Sequence, residues 1–428
     1  MTVIHLESKK LALCPKYPEE SWRKTNPEIF FLPQDEVLNF QGHSVQEKLS
    51  TFLPWKISYR NPKDTLVHLS SLKKQFGEAC DAIFQKDLNR IILVEIGHGI
   101  VDVYSSDALK STVEFLSAPF EVKSIAPNSD IGFALANRLK ASAPHEIIMK
   151  LATQGNEKPL IIVTNHLNCN FSQIYSTFKL VLAKGSQAEL IIAEGNSQFG
   201  VLRHTLVLEE NAQLSQLWIN ITTDDAKNSN SLFEREVNLG ENSKFIDAQI
   251  MAPHGITRVT SNIVFSGKRA SANSSAAVIA THGNFDYEPI QEHKVPQGNS
   301  HLNIKMIVAN RAKSVFQGLV IIDKEAPQTL AMQVNKNLLL SKNARIDASP
   351  RLEILPNDVM CKHGSATGEI DEKQLYYLST RGFSTAEARK LIIKSFAQET
   401  LSLLESESLL LNAAEHALEA ALNQLPQT

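Results

Sequence analysis

The chain has 428 residues, with 43 basic and 46 acidic side chains for a formal charge of -3. At ~150 residues per domain this length corresponds to about two or three domains. The balanced charge offers no nucleic-acid footprint, and the longest apolar runs fall well short of the ~18 residues of a membrane span. Four cysteines, Cys14, Cys80, Cys169 and Cys361, are scattered without a CxxC pair, which argues against a disulfide framework or a zinc ribbon. Residues 1–16 carry no apolar segment of signal-peptide length. The expectation is a soluble, cytoplasmic protein that binds neither nucleic acid nor membrane.

The first ~145 residues read as a mixed, mostly helical domain. Leu69, Leu72, Phe76, Ala79, Cys80 and Ile83 form one helical stripe, with Cys80 expected as a core residue. Residues 91–104 alternate in part around Gly97 and Gly99, the pattern of a small hairpin. A further helix is expected over 130–140.

The middle, about 146–353, changes character. Short apolar runs such as 160–163, 178–182, 202–208, 217–221 and 304–308 are separated by Gly, Asn and Ser. A turn cassette recurs between them: Asn196-Ser-Gln-Phe199, Asn211-Ala-Gln-Leu214, Asn242-Ser-Lys-Phe245 and Asn343-Ala-Arg-Ile346, with a looser copy at Arg311. Asn tolerates left-handed backbone at a corner, a small residue fits the bend, and the large apolar residue points inward. A β-solenoid produces this spacing, in which each coil buries its inner face against the next. An antiparallel sandwich with Asn-rich turns fits the same repeat. Trp218 and Phe199 are expected in the core, and His254, His282, His293 and His301 on the surfaces of turns.

The end, from about Asp358, reads as helical. Asp371 caps a helix closed by Gly382, Ser384-Thr-Ala-Glu387 is a capping box, and an amphipathic stretch covers 405–422. With little core of its own, this unit is expected to pack on the solenoid, on a partner, or on both; removal of residues 384–428 is expected to leave the β-rich part largely intact. Chemistry concentrates just before it. Cys361 and His363, two residues apart, face the same side of an extended segment. A closed metal site takes about four ligands, so this pair can only contribute to one. His166 and Cys169 form a second, weaker ligand pair. Gly267-Lys268 is followed by Arg269, and no phosphate-binding GxxxxGK[ST] occurs, so ATP hydrolysis is not expected of this chain. Clustered solenoid-face carboxylates, which a polysaccharide-cleaving β-helix enzyme would need, are not evident either.

Residues 350–399, PRLEILPNDVMCKHGSATGEIDEKQLYYLSTRGFSTAEARKLIIKSFAQE, resemble the C-terminal region of the SufB/SufD family, subunits of the SufBCD iron–sulfur cluster assembly complex. Ser365 stands where that pattern usually has Ala. Residues 305–350, with Val315-Phe316-Gln-Gly318 and Asn337-Leu-Leu-Leu340, are similar to the last coils of the family's core, and Glu20-Ser-Trp22-Arg23-Lys-Thr25 to an element near its start. Cys361-Lys-His363-Gly364 has the SufD form; SufB-like chains carry a histidine flanked by acidic residues there. The resemblance implies a mainly β protein: a right-handed parallel β-helix core (146–353) between an N-terminal mixed or helical domain (1–145) and a C-terminal helical domain (354–428). It implies a non-catalytic scaffold that pairs with a SufB-like paralogue through the β-helix and docks a SufC-like ABC ATPase on its C-terminal helices, with a homodimer open to it in isolation. It further implies that His363, with Cys361, contributes to a cluster-assembly site shared with SufB. The cluster is then transient at the partner interface, none is held stably by this chain alone, and ATP acts only through the ATPase.

Overall fold

The computed structural model describes residues 56–60, 90–96, 100–105, 109, 113–119, 145–153, 158–165, 173–194, 199–222, 230–406 and 408–426. From Leu160–Asn165 onward successive sides of each coil fall in two sheets, and the strands before the last coil pair in parallel with the strand one coil before and one coil after. This is a parallel β-solenoid of about seven turns; with no antiparallel pairing among the described residues of this part, the sandwich alternative falls.

The corners explain the repeat. Gly185, Asn211, Asn242, Arg269, Gln297 and Gln328 all have positive φ and stand about 30 residues apart. Each of the first three donates its backbone N–H to the next coil, Gly185 to Glu210, Asn211 to Glu241 and Asn242 to Lys268, at 2.8–2.9 Å. Only Gly is unstrained there, and Asn tolerates the region best among the rest. Asn310 is left-handed too, but at the opposite corner. The cassettes read from sequence therefore belong to two interleaved series, so a 15-residue step is half a coil. Asn343 is not left-handed. The small residues after the corner, Ala212, Ser243, Ala312 and Ala344, are all buried, as the tight bend requires.

Two cores hold the fold. Inside the solenoid, large side chains from both sheets stack between coils: Leu190, Trp218, Phe245, Phe233, Val259, Phe265, Leu302 and Phe316. Outside, the second and third of three C-terminal helices cover the first sheet, and the first packs against the second. The three are α1 (Glu372–Thr380), α2 (Thr385–Gln398) and α3 (Leu409–Leu422). Ala413, Ala414, Ala417, Leu418 and Ala421 of α3 pack on Leu217, Ile219, Ala248, Ile250, Ala277 and Ile279. Strands buried on both faces read as continuous apolar runs, which accounts for 217–221. Alanines let the helix axis approach the sheet closely. The end of α3 is fastened by His254, whose Nε2 lies 3.2 Å from Gln424 Oε1, while Gln424 donates to the Thr222 carbonyl. The C-terminal helices are thus largely internal packing. Deleting 384–428 would uncover this second core, so the solenoid should not survive that truncation intact.

The capping signals hold: Asp371 accepts from Lys373 N–H, Ser384 and Glu387 form a reciprocal capping box, and Gly382 closes α1 with φ 91°. The last helix starts later than its amphipathic pattern, at Leu409 behind an N-cap Ser408. The hairpin is present, with Ile91–Ile96 antiparallel to Ile100–Ser105. The first of these strands also pairs with Leu160–Asn165, and Val113–Pro119 pairs with His145–Leu151, so both sheets run back across residue 146. At the other end Val359–Gly368 is a strand of the last coil, so the sheet also runs past 353, and helix begins only at Glu372. The helices expected over 64–84 and 130–140, and Cys80 with them, lie outside the described residues. Among the described residues no helix is long and apolar enough to cross a membrane.

Candidate functional site at the open end of the solenoid

The last strand, Val359–Gly368, pairs over ten residues with Thr329–Leu339 and is the terminal strand of its sheet. The chain then leaves through Asp371 into α1, and among the described residues no further coil covers it. The second sheet ends beside it in Arg345–Ala348 and Arg351–Ile354. Residues 362–369 are all exposed. A row of unpaired N–H and C=O groups of this length is a template for another strand. Leu330, Met332, Met360, Ile354 and Leu355, the last 70% exposed, form an apolar margin around it.

Alternation places Cys361, His363, Ser365 and Thr367 on the inner face of this strand. Cys361 is half-buried and packs, with Val359, against Val320, Ile322, Ala326 and Ala331. Burial raises its thiol pKa above the ordinary value, so it stays a protonated thiol near neutral pH. A thiol is a poorer metal donor than a thiolate. His363 is exposed. The two are therefore brought to one face, as expected, but with unequal access.

Below them the previous coil is lined with amides. Asn335 and Asn337 are buried and exchange hydrogen bonds of 3.0 and 2.7 Å. Ser365 donates to Asn335 Oδ1 at 3.1 Å, and Asn337 donates to Thr367 Oγ1 at 3.1 Å. Gln333, the register partner of His363, is fully buried. Sequence reasoning passed over these amides, although Gln, Asn and Asn at alternate positions 333, 335 and 337 mark one strand face.

The remaining ligand types do not converge on the site. His166 and Cys169 lie outside the described residues, as does the side chain of Phe199. His282 and His301 are exposed, as turn or surface positions suggest, but His254 and His293 are not. His293 points into the solenoid, stacks on Phe265 at 4.0 Å and lies 2.9 Å from Ser300 Oγ. The inward phase of its strand, invisible without the register, put it there. The interior also holds a buried polar cluster that the sequence did not disclose. Arg235 donates to both oxygens of Asp247 at 2.8 and 2.7 Å, Gln249 and Ser274 donate to the same carboxylate, and Tyr287 donates to Gln249. Every member is held by another, the signature of a structural network.

With this geometry in place, the relatives of the chain become informative. Residues 164–396, more than half of the chain, match the model for "SUF system FeS cluster assembly, SufBD core domain". The chain is 28% identical over 235 residues to an iron–sulfur cluster assembly protein SufD of Escherichia coli, covering 54% of this chain and 55% of that protein. A SufBD family protein of Mycobacterium leprae is 28% identical over 257 residues, covering 57% of this chain and 65% of the relative. A SufBD family protein of Synechocystis is 38% identical over 114 residues, about a quarter of each chain. The chain thus spans between about half and two thirds of the length of the first two.

Proposed function

We infer the function from one premise: the chain belongs to the SufBD family of the SUF system, which assembles iron–sulfur clusters. It works as a non-catalytic scaffold subunit. The observation that supports this is the open end of the solenoid, where a ten-residue strand with one edge free among the described residues carries Cys361 and His363 within an apolar margin. A SufB-like paralogue docks there by adding its own strand, so that main-chain hydrogen bonds provide affinity and flanking side chains provide specificity. The nascent cluster is cargo at that interface. His363 contributes an imidazole, a borderline donor suited to iron, and the partner completes the ligand set. Cys361, shielded and protonated, plays the smaller part.

The same reading assigns the docking of a SufC-like ATPase to α1 and the start of α2. Helix α1 has no buried residue, yet it carries Tyr376 at 73% and Tyr377 at 57% exposure, with Phe383 and Leu391 beside it. Exposed aromatics on a well-capped helix are the usual anchors of an interface. Tyr376→Ala with Tyr377→Ala should abolish co-purification of the ATPase and leave the solenoid unaffected. Co-expression of the full chain with a SufB-like and a SufC-like subunit, followed by anaerobic cluster loading, tests the whole. His363→Ala should retain the complex on gel filtration and lose cluster formation. A His363→Ala complex that loads normally, or a chain that binds neither subunit, would falsify the reading.

A further inference from the structure

We propose that Gln333 is a positioning residue for His363, and that Gly318 exists to seat it. This rests on the reading of His363 as a cluster-site residue. Three residues of the last strand face inward over amides of the coil below, and the register pairs them one to one: His363 with Gln333, Ser365 with Asn335 and Thr367 with Asn337. The second and third pairs are hydrogen-bonded at 3.1 Å. In the first, Gln333 is fully buried and neither its Oε1 nor its Nε2 has a partner. A buried amide left unpaired costs about 1–3 kcal/mol. Gln216 and Gln291 are buried and unpartnered in the same way deeper in the solenoid; Gln333 alone of the three has the imidazole of the terminal strand aligned over it, a group it can serve.

Gly318 supplies the space. A Cβ there would stand 2.5 Å from Gln333 Nε2 and 2.5 Å from the Phe316 ring. The Phe316-Gln-Gly318 turn between strands Lys313–Phe316 and Leu319–Ile322 is therefore shaped around the carboxamide. With Oε1 accepting from the inner ring N–H of His363, the imidazole is held in one tautomer and one orientation. The lone pair of its other nitrogen then faces outward, toward the cargo. Outer partners of this kind orient a ligating histidine and raise its basicity, and their loss typically lowers metal affinity or activity 10–100-fold.

The test uses the full chain labelled with 15N-histidine, read by long-range 1H–15N correlation at a pH where imidazole is neutral, with His363→Ala giving the assignment. Wild type should show His363 predominantly in one tautomer. Gln333→Leu and Gln333→Met should return it to the mixture of a free imidazole and cut cluster formation by the assembled complex at least tenfold. Their thermal midpoints should hold or rise, because a buried amide with at most one partner is replaced by an apolar side chain of similar size. Gly318→Ala should shift the tautomer in the same direction. An unchanged tautomer, undiminished cluster formation, or a loss of cluster formation that tracks a lowered midpoint overturns the inference. Loss in His363→Ala with wild-type behaviour in Gln333→Leu sinks this inference alone; normal loading by His363→Ala sinks the reading beneath it.

Discussion

One inward column of the first sheet runs from Asp247 through Ser274 and Leu302 to Gln333 and His363. Its two ends treat polar groups differently. At Asp247 a carboxylate with no exposure is gripped by Arg235, Gln249 and Ser274. Three coils on, Gln333 has no partner and His363 stands in solvent. A charge buried in mid-solenoid must be matched inside the chain, because water is excluded there. A neutral amide such as Gln333 carries no such demand, and at the open coil the exposed imidazole above it is available to another molecule.

The sharpest way to break this contrast is Asp247→Ala, which strands the Arg235 guanidinium in the interior. Breaking one partner of a buried pair costs about 3–5 kcal/mol, read as a lowered urea midpoint. A loss under about 1 kcal/mol would mean that the middle tolerates unpaired charge as the end does.

The pH dependence of stability probes the middle next. Burial pushes His204 and His293 down from 6.5 to about 3. Below pH 6.5 the unfolded chain takes up protons that these rings refuse, so stability falls as pH falls, by about 1.4 kcal/mol per pH unit for each ring. Glu194, 3.5 Å from His204, acts in the opposite sense. Burial raises it from 4.5 to about 8, so the fold keeps a proton that the unfolded chain loses, and stability falls as pH rises from 4.5 through 8. Between 4.5 and 6.5 two rings outweigh one carboxyl; above 6.5 the carboxyl acts alone. Of these three groups, stability is therefore greatest near pH 6.5. Denaturation at pH 5, 6.5 and 8 should show the maximum, and Glu194→Gln should flatten the alkaline side. A steady rise from 6.5 to 8 would contradict the assignment.

A smaller effect is expected from Ala417→Leu on α3, where three extra carbons must enter the packed outer core. Overpacking of this kind costs about 1–3 kcal/mol, measurable by the same unfolding series. Smallest of all, His363→Ala should change stability by no more than about 0.5 kcal/mol, as for exposed positions generally. A larger loss would make the open end structural after all.

Local chemistry was legible in the sequence. Asp371, Ser384 with Glu387, and Gly382 announced their caps because capping is settled within about four residues. Asn211 and Asn242 announced their corners because only a few residue types tolerate that backbone, and Leu214 and Phe245 after them are buried. The pairing of Cys361 with His363 on one face followed from the two-residue period of a strand. Tertiary structure decided whatever depended on partners 12 residues or more away. It sorted the cassettes into two corner series, turned His293 inward and laid α3 over the first sheet as a second core. It also brought Arg235 to Asp247 and Gln333 under His363. In a solenoid each inward side chain meets the coils before and after its own, so its surroundings are set by register between coils. A linear sequence states the period of a strand plainly and leaves that register to packing.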